Sequence, residues 1–250
     1  MSIDSPEQLQ ALRRVGRLVS ETIAHLRRAV RPGLSTGALD RMAAEFLSAR
    51  GARSGPIVTY GYPGWTCISV EEQVVHGVPS DRRVLRSGEI VTLDVAIELD
   101  GYHADAATTV AVGTIDRPHA DLIAATRSAL TAGVRAAQPG ATLRDVGAAV
   151  ERDARTRGYR VFRELTGHGI GRRMHEPPTV FSWPAPGAEA DLALQAGLVL
   201  TIEPMLTAGR PRLVTEADGW TISALDGSPS AHEEHTIVIA DGGPVVLTHP

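Results

Sequence analysis

Lysine is absent from this chain of 250 residues, and every one of its 25 basic residues is arginine. Those arginines are spread along the sequence without a dense tract. The formal net charge is −4, so a phosphate-backbone partner is not suggested. Cysteine occurs once, as Cys67, which excludes an intrachain disulfide and any cysteine-cluster zinc site. No apolar run is long enough to span a bilayer, and the opening SIDSPEQLQALRRV is charged and amphipathic, unlike a signal peptide. These absences imply a cytoplasmic protein. Hydrophobic content of 43% is enough to build a sizeable core.

Punctuation along the chain predicts alternating helices and strands. Ser5-Pro6 reads as a cap and first turn, followed by an apolar stripe of Leu9, Leu12, Val19, Ile23, Leu26 and Val30. A second helix is predicted from Thr36 to Arg50, ending at Gly51, a third from Pro118 to Ala137, and a fourth from Leu143 to Arg157. Strands are predicted at PIVTYGYP, TCISV, EIVTLDVAIEL, YHADAATTVAV, YRVFREL, GLVLTIEPM, GWTISAL and HEEHTIVIA, with a proline-rich loop at SWPAPG. The order of two helices then strands occurs twice, and the second helices superpose at one shift. Gly33 falls on Gly140 (140 − 33 = 107) and Gly51 on Gly158 (158 − 51 = 107). The expectation is a single α/β (α+β) domain over 1–250, made of similar halves at roughly 5–111 and 116–250.

The stretch TLDVAIELDGYHADAATTV holds an Asp-Gly hairpin signature at Asp100-Gly101. If Leu99 pairs with Tyr102, then Ala96 faces Asp105 and Asp94 faces Ala107. Strand alternation then puts Asp94 and Asp105 on one face as diagonal neighbours. Thr92, Ala96 and Ala107 leave space around them, while Val91, Leu93, Val95 and Ile97 form the opposite, helix-packing face. Two adjacent, partly desolvated carboxylates need a proton or a cation between them. Other ligand-type residues also interrupt apolar strand segments: His168 in TGHGIG, Glu203 at the end of LVLTIE, and Glu234 before TIVIA. Four carboxylates and an imidazole, with no thiolate, suit first-row divalent ions such as Mn, Fe, Co or Zn, and hold enough oxygens to bridge two. The chemistry implied is metal-assisted hydrolysis.

Taken together, GYPGWTCISVEEQVVHGVP, LDVAIELDGYHADAATT, TGHGIGRRMHEPP, LTIEPM and SAHEEHTIVI resemble the type I methionine aminopeptidases. That resemblance covers nearly the whole chain. It implies the pita-bread fold, with two pseudo-symmetric halves whose helices lie outside a curved antiparallel sheet. It also implies removal of the initiator methionine from nascent polypeptides with a small second residue. Asp94, Asp105, His168, Glu203 and Glu234 would hold two divalent ions, drawn from Co, Mn, Fe, Zn or Ni. His76 would contact the scissile amide, His175 the carbonyl oxygen, and Glu203 would move a proton. Tyr62, Cys67 and Trp220 would line the methionine pocket, with Pro56, Thr59 and Met174 at positions where the pocket differs from relatives. The implied partners are polypeptide N-termini, with the ribosome as a candidate, and the implied state is a monomer. An Xaa-Pro dipeptidase-like hydrolase and an inactive binding module on the same fold are the alternatives.

Several chemistry-bearing residues have plainer readings. Gly33-Leu34-Ser35-Thr36-Gly37 fits G-x-S-x-G but follows a helix, so Ser35 and Thr36 read as a helix cap. His25, His119 and His249 read as solvated residues, and His103, His232 and His235 as structural neighbours of the ligand candidates.

Overall fold

Ser5 opens the first helix, α1 (Pro6–Ala29), its side chain accepting a hydrogen bond from the Gln8 backbone N–H. The computed structural model describes residues 2–249. Leu12, Val15, Val19 and Leu26 of α1 are fully buried against the long hairpin formed by Ile90–Leu99 and Tyr102–Ala111. Ser35 caps α2 (Thr36–Ser48) by accepting from the Ala38 N–H, as the helix-cap reading of G-x-S-x-G requires. Two later helices, α4 (Arg117–Ala136) and α5 (Leu143–Thr156), pack on each other. Thr142 and Asp145 form a reciprocal capping box at the start of α5.

Between α2 and the hairpin the structure corrects the sequence. Gly55–Tyr60 is a short helix, α3, where PIVTYGYP reads as a strand. Local capping overrides the β-branched run: Ser54 accepts from the Ile57 N–H, Pro56 occupies the first turn, and Gly61 stops the helix at φ 70°. Of YRVFREL only Arg160–Val161 joins a sheet. Glu176–Phe181, which contains Pro177 and Pro178, is a strand unanticipated from sequence. It lies at a sheet edge, where prolines leave no inner ladder bond unmade.

All strand pairings among the described residues are antiparallel. The hairpin is flanked on Ile90–Leu99 by Cys67–Val70 and Arg53–Ser54. A five-stranded sheet runs in the order Gly243–Val246, His235–Ala240, Val199–Ile202, Thr166–Gly169, Glu176–Phe181. Met205–Thr207 pairs with Ser230–His232 and Arg160–Val161. Gln73–Val75 pairs with Ile222–Ala224, which brings the early chain to the late chain. The hairpin register is as expected, Ala96 opposite Asp105 and Asp94 opposite Ala107, with Asp100 and Gly101 at φ 53° and 78° in the turn. Val91, Leu93, Val95 and Ile97 sit in the core with α1, so the other hairpin face is free for polar groups. Mixed helices and antiparallel sheets are thus present as the sequence predicts.

Candidate metal centre

Asp94 and Asp105 emerge from the hairpin on the face away from α1. Thr92 and Thr109, on the same face, join their hydroxyls at 2.8 Å. The late strands dock here. Glu234 N–H donates to Ala107 O at 2.9 Å, and Thr236 Oγ1 both accepts from Asp105 N–H (3.0 Å) and donates to Asp105 O (2.7 Å). In the short link between Ser230–His232 and His235–Ala240, His232 and Glu234 turn toward the cavity, while Glu233 turns away to Arg127 and Thr108. From the five-stranded sheet, His168 N–H donates to Thr201 Oγ1 at 3.0 Å, and that hydroxyl donates to Glu203 Oε1 at 2.8 Å.

One donor atom each from Asp105, His168 and Glu234 lies within 4.8 Å of the others. Glu203 Oε1 is 3.6 Å from His168 Nε2. Asp94 and Glu203 line the same cavity of about 430 Å³. The electrostatics are those of a site built for positive charge. Burial, then the negative charges of Asp105 and Glu203, raises the Asp94 pKa. Asp105 is pushed up to about 7 by burial. Glu203 is raised by burial, and Glu234 by burial and then by Asp105. Asp105 Oδ1 and Glu234 Oε1 are buried without a hydrogen-bond partner. His168 Nδ1 lies 2.9 Å from Gly169 O, so Nδ1 carries the proton and Nε2 keeps its lone pair. Burial pushes this imidazole down to about 3, which keeps it neutral. Orphaned oxygens, a neutral imidazole with a free nitrogen and several crowded acids fit divalent cations.

The remaining predicted residues surround this cluster. His76, at φ 57°, and His175 line the cavity, and desolvation lowers both pKa values. The His175 ring lies 4.0 Å from that of His168, and its Nδ1 is 2.5 Å from Tyr60 Oη. Tyr62, Cys67 and Trp220 line the cavity too, as do the apolar Val75 and Met205. Tyr62 donates to Gly77 O at 2.8 Å and meets Trp220 edge-on, centroids 5.3 Å apart. Burial and the Asp94 charge push the Cys67 thiol up, so it serves as a small apolar wall. Pro56 and Met174 also line the cavity, but Thr59 faces an adjoining depression with Arg53, Glu98 and His103. One helical turn of α3 brings Pro56 and Tyr60, four apart, to the cavity together.

Two residues escaped the sequence reading. Tyr60 was hidden by the strand assignment. His232, read as a structural neighbour, is buried in the cavity wall with neither ring nitrogen hydrogen-bonded, and its Nε2 is 3.7 Å from Glu234 Oε2. Its separation of two from Glu234 was the available signal. His119 is also no free solvated residue; its ring bonds Asp116 at 2.7 Å and Glu71 at 3.1 Å.

Comparison with known proteins agrees with this architecture. The model of metallopeptidase family M24 matches residues 10–241. Methionine aminopeptidase of Escherichia coli strain K12 is 39% identical over 249 residues, covering 99% of this chain and 94% of that protein. The crystal structure of methionine aminopeptidase from Rickettsia prowazekii superposes with a TM-score of 0.95 at 33% identity, covering 100% of both chains. An Xaa-Pro dipeptidase from Bacillus anthracis superposes with a TM-score of 0.79 over 99% of this chain and 62% of its own. Its identity of 22% carries the fold alone. With the family model spanning most of its length and relatives similar from end to end, the chain belongs to metallopeptidase family M24.

Proposed function

We propose that the protein is a metal-dependent aminopeptidase that removes N-terminal methionine from polypeptides whose second residue is small. The observation that carries this is the convergence of Asp105, His168 and Glu234 within 4.8 Å in a cavity that Tyr62, Cys67, Met205 and Trp220 also line. Asp94, Asp105, His168, Glu203 and Glu234 would hold two divalent ions, which when bound would supply Lewis-acid chemistry, acidifying water and polarising a carbonyl oxygen. Glu203, anchored through Oε1 to Thr201, moves a proton toward the departing amine. His76 contacts the scissile amide and His175 donates to the carbonyl oxygen as negative charge develops on it. Tyr62, Cys67 and Trp220 enclose the thioether side chain. The free amine lies at the carboxylate end, which limits cleavage to one residue.

The same reading takes the chain as one catalytic domain of two pseudo-symmetric halves, roughly 5–111 and 116–250. Supporting it, Gly33 and Gly140 have φ of 86° and 83°, and Gly51 and Gly158 have 72° and 87°. The caps Ser35 and Thr142 each bridge to a later segment, at Val84 and Ala193. No helix among the described residues is long and apolar enough to cross a membrane. We place the enzyme in the cytoplasm as a monomer acting on nascent chains near the ribosome; co-sedimentation with ribosomes tests that last point.

The decisive assay offers Met-Ala-Ser and Met-Lys-Ser to the protein with and without chelator. Methionine should be released from the first peptide only, be lost with chelator, and return with divalent metal. Absence of release from both peptides by metal-loaded protein would end this reading. Faster turnover of Xaa-Pro peptides than of Met-Ala-Ser would select the dipeptidase alternative. Failure to bind divalent metal in calorimetry would select the inactive module.

A further inference from the structure

We propose that Tyr60 is a positioning residue for His175: its phenol donates a hydrogen bond to Nδ1, fixes the imidazole proton on Nε2 and so makes Nε2–H the donor that meets the substrate carbonyl oxygen. The inference rests on the reading of His175 given above and adds a residue to it.

The contact is direct, Tyr60 Oη to His175 Nδ1 at 2.5 Å, with ring centroids 5.5 Å apart. A neutral imidazole has one N–H and one lone pair, so whichever nitrogen accepts from the phenol leaves the other as the donor. Were the roles reversed, Nε2 would offer a lone pair to an oxygen gaining negative charge, which is repulsive. Burial raises the Tyr60 pKa, so its hydroxyl remains a donor near neutral pH. No other hydrogen bond to Nδ1 is present among the described residues, so nothing else there fixes the tautomer.

The lever is firmly mounted. Tyr60 is the last residue of α3, and Gly61 halts the helix immediately after it. Ser54 holds the start of α3 and donates to Trp65 O at 2.9 Å, while Tyr62 is tied to Gly77 O. The phenol thus stands on a short segment fixed at both ends. It lines both the catalytic cavity and the adjoining depression, with His175 between them. Seen this way, the helix that displaces the expected strand has a use: it brings Tyr60 round onto the Pro56 face, toward the cavity.

The test compares wild type with Tyr60→Phe, which keeps the ring and loses the hydroxyl. Nitrogen-15 NMR of histidine-labelled protein should show His175 Nδ1 as the unprotonated, pyridine-type nitrogen and Nε2 as the protonated, pyrrole-type one. In Tyr60→Phe the two signals should move toward averaged values. Turnover of Met-Ala-Ser should fall about 10- to 100-fold in kcat with little change in KM, a smaller loss than deleting the donor itself. In a His175→Ala background the same substitution should change kcat by less than about twofold, because the two residues act as one unit. An unchanged tautomer pattern in Tyr60→Phe, or an equal loss of turnover in both backgrounds, would overturn the proposal. The spectra decide even if wild type cleaves no methionyl peptide, so failure of the proposed function and failure of this inference are distinguishable.

Discussion

Asp105 is buried beside three other carboxylates, and without a cation that arrangement opposes folding. Burial raises its pKa to about 7, and its Oδ1 has no hydrogen-bond partner. Asp105→Asn should therefore abolish metal binding and turnover while leaving the metal-free protein folded, with a melting temperature unchanged or higher. An unfolded variant in circular dichroism would contradict this. His76 has a different expectation, since it lines the cavity outside the acid cluster. His76→Ala should keep its metal and lose about 100- to 1000-fold in kcat. Metal loss matching that of Asp105→Asn, read by elemental analysis, would move His76 among the ligands. The acids and His168 were legible because ligand-type side chains interrupt apolar strand segments. His232 was less so, because Glu233 beside it is equally polar and the link between two strands that turns the pair inward and Glu233 away has no local sequence signal.

At the scale of elements, hydrophobic periodicity located four helices to within a residue or two, and the Asp-Gly turn fixed the hairpin register. It failed at α3, where six residues are too few for a helical period to show and capping by Ser54 and Gly61 decided the outcome. Helix packing gives a test of its own at Gly133 of α4. A Cβ there would lie 2.7 Å from Val150 Cγ2 and 2.9 Å from Ile202 Cγ2. Gly133→Ala gains about 1 kcal/mol of helix propensity. Overpacking against two stiff, buried, β-branched side chains costs about 1–3 kcal/mol, so the balance falls on the side of loss. The melting temperature should drop by about 2–4 °C per kcal/mol lost. A higher one would show that α5 gives way freely. The start of α4 carries a pH dependence. Burial alone would lower the His119 pKa, but the hydrogen bond to Asp116 and the charge of Glu71 outweigh it and raise it. A raised histidine stabilises the fold fully below its unfolded pKa, about 6.5, and loses that effect as pH rises through the folded value. The stability gap between wild type and His119→Gln should thus be wider at about pH 5.5 than at about pH 8.5. A gap independent of pH would assign His119 a neutral hydrogen-bonding role.

For the whole molecule, the site exists only because distant segments close on one another. Hairpin residues near 100 meet strand residues near 235 through the Asp105–Thr236 and Glu234–Ala107 hydrogen bonds. Ordered motifs and a repeated helix pattern made the architecture legible by resemblance. Long-range pairing such as Gln73–Val75 with Ile222–Ala224 was not legible, since nothing local in either segment names its partner. The proposed function depends on that closure placing five side chains around paired cations. Anomalous diffraction from crystals grown with manganese or cobalt tests it most directly. Two peaks about 3.5–4 Å apart, touched by Asp94, Asp105, His168, Glu203 and Glu234, are the predicted result. Loaded crystals showing no peak there, or showing the Asp94 and Asp105 carboxylates turned away from each other, would contradict it.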